Sequence, residues 1–124
     1  MPPVCGIATE RLVSTITAKT TAAHLSTTLT TALLQNSASS GKVFKVNTII
    51  VSNIDGANGA DVSLTYYNGS DGYEIAKTIT VPADSTLVVT DKNSVLYLEE
   101  GTEIRGGASA ANDLDILISY EEIS

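Results

Sequence analysis

Along most of the chain, apolar side chains recur at every second position in short runs broken by Gly, Asn, Asp, Ser and Pro. That period belongs to half-buried β-strands. Val62, Leu64 and Tyr66 alternate with Ser63, Thr65 and Tyr67. Asn68-Gly69-Ser70-Asp71-Gly72 follows and predicts a hairpin, since Asn and Gly tolerate positive φ. The return strand carries Tyr73, Ile75, Ile79 and Val81, with Lys77 interrupting the apolar row. Pro82-Ala83-Asp84-Ser85 turns the chain into a strand over residues 86–90. Residues 95–98 and 103–105 read as short strands about a turn at Glu99-Glu100-Gly101-Thr102, and Gly106 and Gly107 are expected to weaken or bulge the second. The last strand spans residues 114–121, with Ile116, Ile118 and Tyr120 on one face.

The first part of the chain has a less regular pattern. Leucines 25, 29 and 33 sit four apart, as on a helix, yet the same stretch alternates Leu and Thr, as on a strand. Its four threonines between residues 25 and 34 favour the strand, because β-branched side chains lose χ1 freedom in a helix. After a polar turn over residues 35–41, residues 42–53 form the longest predicted strand. Strict alternation puts Phe44, Val46 and Ile50 on one face and Val43, Ile49 and Val51 on the other. A strand apolar on both faces is covered on both, which predicts that a second polypeptide covers one of them.

Seven to nine strands at roughly ten-residue spacing predict an all-β fold, an antiparallel β-sandwich of jelly-roll or immunoglobulin-like type, with an N-terminal extended arm. The expected organisation is an arm over residues 1–24 and a sandwich domain over 25–124. The length of 124 residues suits one core, and 43% apolar with 17% charged residues is a globular composition.

Charge is unevenly placed within the net −7. Residues 1–54 hold one acid against four bases, whereas residues 55–124 hold thirteen acids against three bases. An acidic body repels phosphate backbones, so no nucleic-acid partner is expected. The asymmetry would let a basic arm lie on an acidic neighbour. Cys5 is the only cysteine, so no intrachain disulfide forms. No apolar run approaches the roughly 20 residues of a membrane-spanning helix, no signal-peptide pattern opens the chain, and no membrane association is expected.

Candidate chemistry is sparse. His24 is the only histidine, and catalysis would need a carboxylate to orient it beside an activated serine; no nucleophile elbow surrounds it. Asp55, Asn58 and Asp61 offer oxygen ligands, but not at the spacing of a calcium loop. Glu99, Glu100 and Glu103 flank a glycine turn and are expected to be exposed. Asn68-Gly69-Ser70 matches a glycosylation acceptor, read here as a turn. Tyr66 and Tyr67 place one ring on each face of their strand, one for the core and one for solvent or an interface. No enzyme activity, cofactor or metal is expected.

Five segments taken in order carry a resemblance: Lys45-Val46-Asn47-Thr48-Ile49-Ile50-Val51-Ser52-Asn53, Val62-Ser63-Leu64-Thr65-Tyr66-Tyr67, Ile79-Thr80-Val81-Pro82-Ala83, Leu96-Tyr97-Leu98-Glu99-Glu100-Gly101 and Asp115-Ile116-Leu117-Ile118-Ser119-Tyr120-Glu121-Glu122. From about Leu25 to the end, the chain resembles small β-sandwich virion proteins of tailed bacteriophages, especially those of marine and cyanobacterial hosts. The resemblance implies a particle component and carries over no catalytic residue. The expected function is capsid decoration or cementing of capsomer junctions by a homo-oligomer, such as a trimer, bound to the major capsid protein in the virion. A neck or tail component (connector, collar or fibre-anchoring ring) is the alternative, and a surface-glycan-binding sandwich is an alternative of another class, disfavoured by the lack of Trp. The expected contacts are Leu12, Ile16, Leu25 and Leu29 in the arm, and Val43, Ile49 and Val51 on the oligomer face, with Tyr67 as a further interface residue. An extended arm of that length reaches at most about 80 Å.

Overall fold

The computed structural model describes residues 15–124. Nine strands form two antiparallel sheets: β1 (Ile16–His24), β2 (Ala32–Asn36), β3 (Val43–Asn53), β4 (Ala60–Tyr67), β5 (Gly72–Val81), β6 (Thr86–Thr90), β7 (Leu96–Leu98), β8 (Thr102–Ala108) and β9 (Leu114–Ile123). One sheet runs β1-β9-β3-β6, with β7 continuing the same edge of β3, and the other runs β2-β8-β4-β5. Taking β6 and β7 as one broken strand, the first strand pairs with the last, the second with the second to last, and so inward to the β4–β5 hairpin. That nesting is one long hairpin rolled up on itself, the jelly-roll arrangement. The jelly roll, rather than the immunoglobulin order, is the sandwich this chain forms.

The inner faces of both sheets supply the core: Phe44, Val46, Ile49 and Val51 from β3, Ile116 and Ile118 from β9, Val62 and Leu64 from β4, and Ile104 from β8 are all buried. Phe44 lies against Tyr120 with ring centroids 5.1 Å apart, a tilted contact of the kind favoured by ring quadrupoles. The β4–β5 hairpin closes as the sequence predicts, with the Asn68 amide donating to the Asp71 carbonyl at 3.1 Å and Gly69 at φ 97°.

Four expectations are corrected. The pairing of β3 with β9 shifts between Val46 and Thr48. This β-bulge inserts one residue and reverses the side-chain parity beyond it. Ile49 and Val51 therefore face the same core as Phe44 and Val46, while Val43 and Ile50 face outward. The core-facing side of the strand is covered by the opposite sheet of its own chain, so the burial of Ile49 and Val51 needs no second one. Residues 16–24 are not an arm: β1 pairs with β9 along its whole length, from Ile16 against Ile123 to His24 against Asp115. The sandwich begins no later than Ile16. Residues 25–31 form a loop and the strand starts only at Ala32.

Finally, Gly106 and Gly107 do not bulge β8, whose register with β4 is unbroken from Thr65 to Val62. They permit close approach. A Cβ on Gly106 would collide with the Ser63 carbonyl and come within 2.5 Å of the Leu64 Cδ2, and one on Gly107 would come within 2.6 Å of the Ser26 carbonyl oxygen. The loop before β2 thus lies along β8, with the Gly106 amide donating to Thr31 and the Ala108 amide to Ser26.

Two buried asparagines tie loops to strand ends. Asn36 donates to the carbonyls of Lys42 (2.8 Å) and Leu98 (2.9 Å) and accepts from Ser40. Asn53 donates to the carbonyls of Asn58 (3.0 Å) and Val81 (2.8 Å) and accepts from the Asp55 amide. Each satisfies one buried carbonyl, of Leu98 and of Val81 respectively, that would otherwise lack this partner.

Candidate functional site

The outer face of the β1-β9-β3-β6 sheet carries the most exposed apolar surface that the strand register organises. Cross-strand pairing places Ala22, Leu117, Ile50 and Val88 in one row spanning four strands. At about 4.8 Å per strand the row is about 14 Å long. Leu117 is 40% and Val88 56% exposed. A second row at the far end joins Ile16, Ile123 and Val43, with Ile16 60% exposed. Between them, Tyr97 stands beside Lys45 on β3, and Glu121 lies across from Lys45 on β9. A cavity of about 200 Å³ opens beside Ala22, His24, Asp115 and Leu117, at the β1 end of the first row.

The expected contact residues separate into two groups. Leu25, Ile49 and Val51 have no exposed surface, because the loop at Leu25 and the bulge in β3 turn them into the core. They are withdrawn as contacts. Ile16, Leu29 and Val43 are exposed, the last at 37%. Tyr67 is half-buried on the outer face of the opposite sheet, with the Arg105 guanidinium 3.5 Å above its ring centroid. Leu12 lies outside the described residues. Leu117, Ile50, Val88 and Tyr97 were missed. Leu117 had a signal, since it alternates with Ile116 and Ile118, whereas Ile50 required knowledge of the bulge.

A minority of the ionisable groups are engaged in ion pairs. His24 Nδ1 lies 2.5 Å from Asp115 Oδ1, so the imidazole is oriented by a carboxylate. The serine in that row is Ser52, two strands from His24, which is about 10 Å, and its hydroxyl is paired with Thr86. That is not the geometry of an activated nucleophile. Glu122 receives Lys19 and Lys42, each at 3.2 Å, so part of the positive charge of the first half is met by an acid of the same chain. Burial opposes ionisation of Glu122, but the hydrogen bonds from Lys42 and Lys19 prevail and hold its carboxyl below the ordinary value. Glu103 is buried, contrary to the exposure expected of that turn, and binds Arg105 Nε at 2.6 Å and Gln35 Nε2 at 3.2 Å. The Ala57 amide holds the Asp55 carboxyl below its usual range. Among the described residues no group of three or more His, Cys, Asp or Glu is placed to hold a metal ion.

Neither a protein-family model nor a curated protein matches this chain.

Proposed function

We propose that the chain is a structural subunit of a virus particle, a capsid decoration or cement protein that self-associates through the outer face of the β1-β9-β3-β6 sheet. The observation that carries this reading is the row Ala22–Leu117–Ile50–Val88, apolar surface aligned across four strands of one sheet. Rigid strands hold those side chains in fixed register, so a second copy meets a preformed surface and loses little entropy in ordering it. The order of strand and turn segments that resembles tailed-phage virion proteins supports the same reading. Jelly rolls build viral capsid proteins but also lectins and cupins, so fold alone is analogy.

In this role the subunit straddles a junction between capsomers and contacts the major capsid protein on either side. Linked contacts raise the cost of separating the capsomers without any single strong bond. Quantitative mass spectrometry of purified particles tests the proposal. Copies in proportion to the major capsid protein support decoration. The copy number of a single ring would move the subunit to the neck or tail, and absence from the particle would overturn the proposal.

A further inference from the structure

The opposite sheet carries a groove of mixed polar and apolar lining that the assembly reading does not use. A cavity of about 310 Å³ lies over the outer face of β4, between the loop preceding β2 and the edge strand β5. A second of about 290 Å³ adjoins it, and both are lined by Leu29, Ser63 and Thr78. Together they make an elongated trough whose size falls in the range of small-molecule sites, about 300–1,000 Å³.

Two features show a built wall. First, β4 and β5 fall out of register between Val62 and Leu64: Val62 faces Ile79 while Leu64 faces Ala76, so Lys77 and Thr78 both stand against Ser63. Such bulges re-aim side chains, and here both bulged residues line the trough. Thr78 has φ 52°, a left-handed conformation that a β-branched residue rarely adopts, and its amide is held by the Ser63 hydroxyl at 3.0 Å. Strain of this kind gathers at binding sites. Second, Arg105 is fixed on two sides, by the Tyr67 ring beneath it and by Glu103 at Nε. Its remaining donors keep their capacity in a fixed fork.

The chemistry of the lining selects a ligand class. Lys77 and Arg105 donate, Glu74 accepts, the Ser63 hydroxyl can donate while holding the Thr78 amide, and the Thr65 hydroxyl, which donates to Glu74, can accept, while Leu29 and Tyr67 add apolar surface. Glu74 and Glu103 balance the two cations, and the chain carries −7, so an anionic ligand gains nothing from the field. A neutral molecule dense in hydroxyl groups, with C–H faces between them, matches this set. From this geometry we infer that the trough binds a neutral oligosaccharide, lying along β4 with vicinal hydroxyls shared between Glu74 and Lys77. With the other sheet buried in assembly this one faces outward, but binding does not depend on that assembly.

The test is a titration of the ¹⁵N-labelled full chain with maltotetraose, cellotetraose and mannotetraose, with trigalacturonate as the acidic comparison, each to about 10 mM. The expected result is saturable shifts at Ser63, Thr65, Thr78 and Arg105 with at least one neutral sugar. Glu74→Gln and Lys77→Ala, both at exposed positions, weaken it tenfold or more while the remaining spectrum is unchanged. No shifts with any neutral sugar, shifts confined to the opposite sheet, tighter binding of trigalacturonate, or unaltered affinity in both variants would each overturn the inference.

Discussion

Val46 and Ile49 are an odd number of positions apart on one strand, yet both are wholly buried in the same core. Regular alternation would have put them on opposite faces. The bulge between Val46 and Thr48 turns two apolar half-patterns into one.

This makes neighbouring isoleucines unequal. Ile49→Ala removes a core side chain and is expected to cost about 2–5 kcal/mol. Ile50→Ala, on the outer face, is expected to cost about 1 kcal/mol or less. Urea unfolding of the two variants measures the difference, and similar losses would mean that β3 lacks the bulge.

Asn53→Ala removes an amide that serves two carbonyls and an acceptor for the Asp55 amide. The expected loss is about 1–3 kcal/mol. Faster hydrogen exchange is expected at Asp55, whose acceptor is gone, and at Asp84, whose amide bonds the Asp55 carbonyl. Unchanged exchange at both amides would show that Asn53 does not organise this loop.

Glu122 and Asp55 both ionise more readily in the folded protein than in the unfolded chain. The unfolded state therefore binds more protons in the acid range, and stability falls as pH falls. Their contribution is complete above the ordinary values of 4.5 and 3.8 and is lost as pH drops through the lowered folded values. Urea midpoints taken from about pH 7 to about pH 3 should decline less steeply for Glu122→Gln with Asp55→Asn than for the wild type. Parallel curves would contradict the assignment.

The elements legible from sequence were those set by local chemistry. Alternation marked β4 and the start of β9, and Asn68-Gly69 marked the hairpin, because turn and period act within a few residues. The sandwich followed from the count and spacing of strands. Three features were not legible because their causes lie far along the chain. The bulge in β3 depends on the register of β9, some seventy residues away. Residues 16–24 join the sheet through that same strand, although their own pattern of Ala, Thr and a single Ile is weakly apolar. The trough required β4, β5, β8 and the loop at Leu29 to meet, and Lys77, which looked like an interruption of an apolar row, is the side chain its bulge presents there. The burial of Glu103 is not legible because Gln35, its partner on β2, lies 68 residues away along the chain, although alternation alone puts Arg105 on the same face.

The central claim is that the outer face of the β1-β9-β3-β6 sheet meets another copy of the chain. Ile49 cannot probe it, being core, whereas Leu117 stands in the middle of the exposed row. Sedimentation equilibrium of wild type and Leu117→Glu at about 100 µM, with circular dichroism to confirm folding, is the direct measurement. The account predicts an oligomer for the wild type and a folded monomer for the variant. A wild type that sediments as a monomer, or a variant that assembles to the same mass, would contradict it.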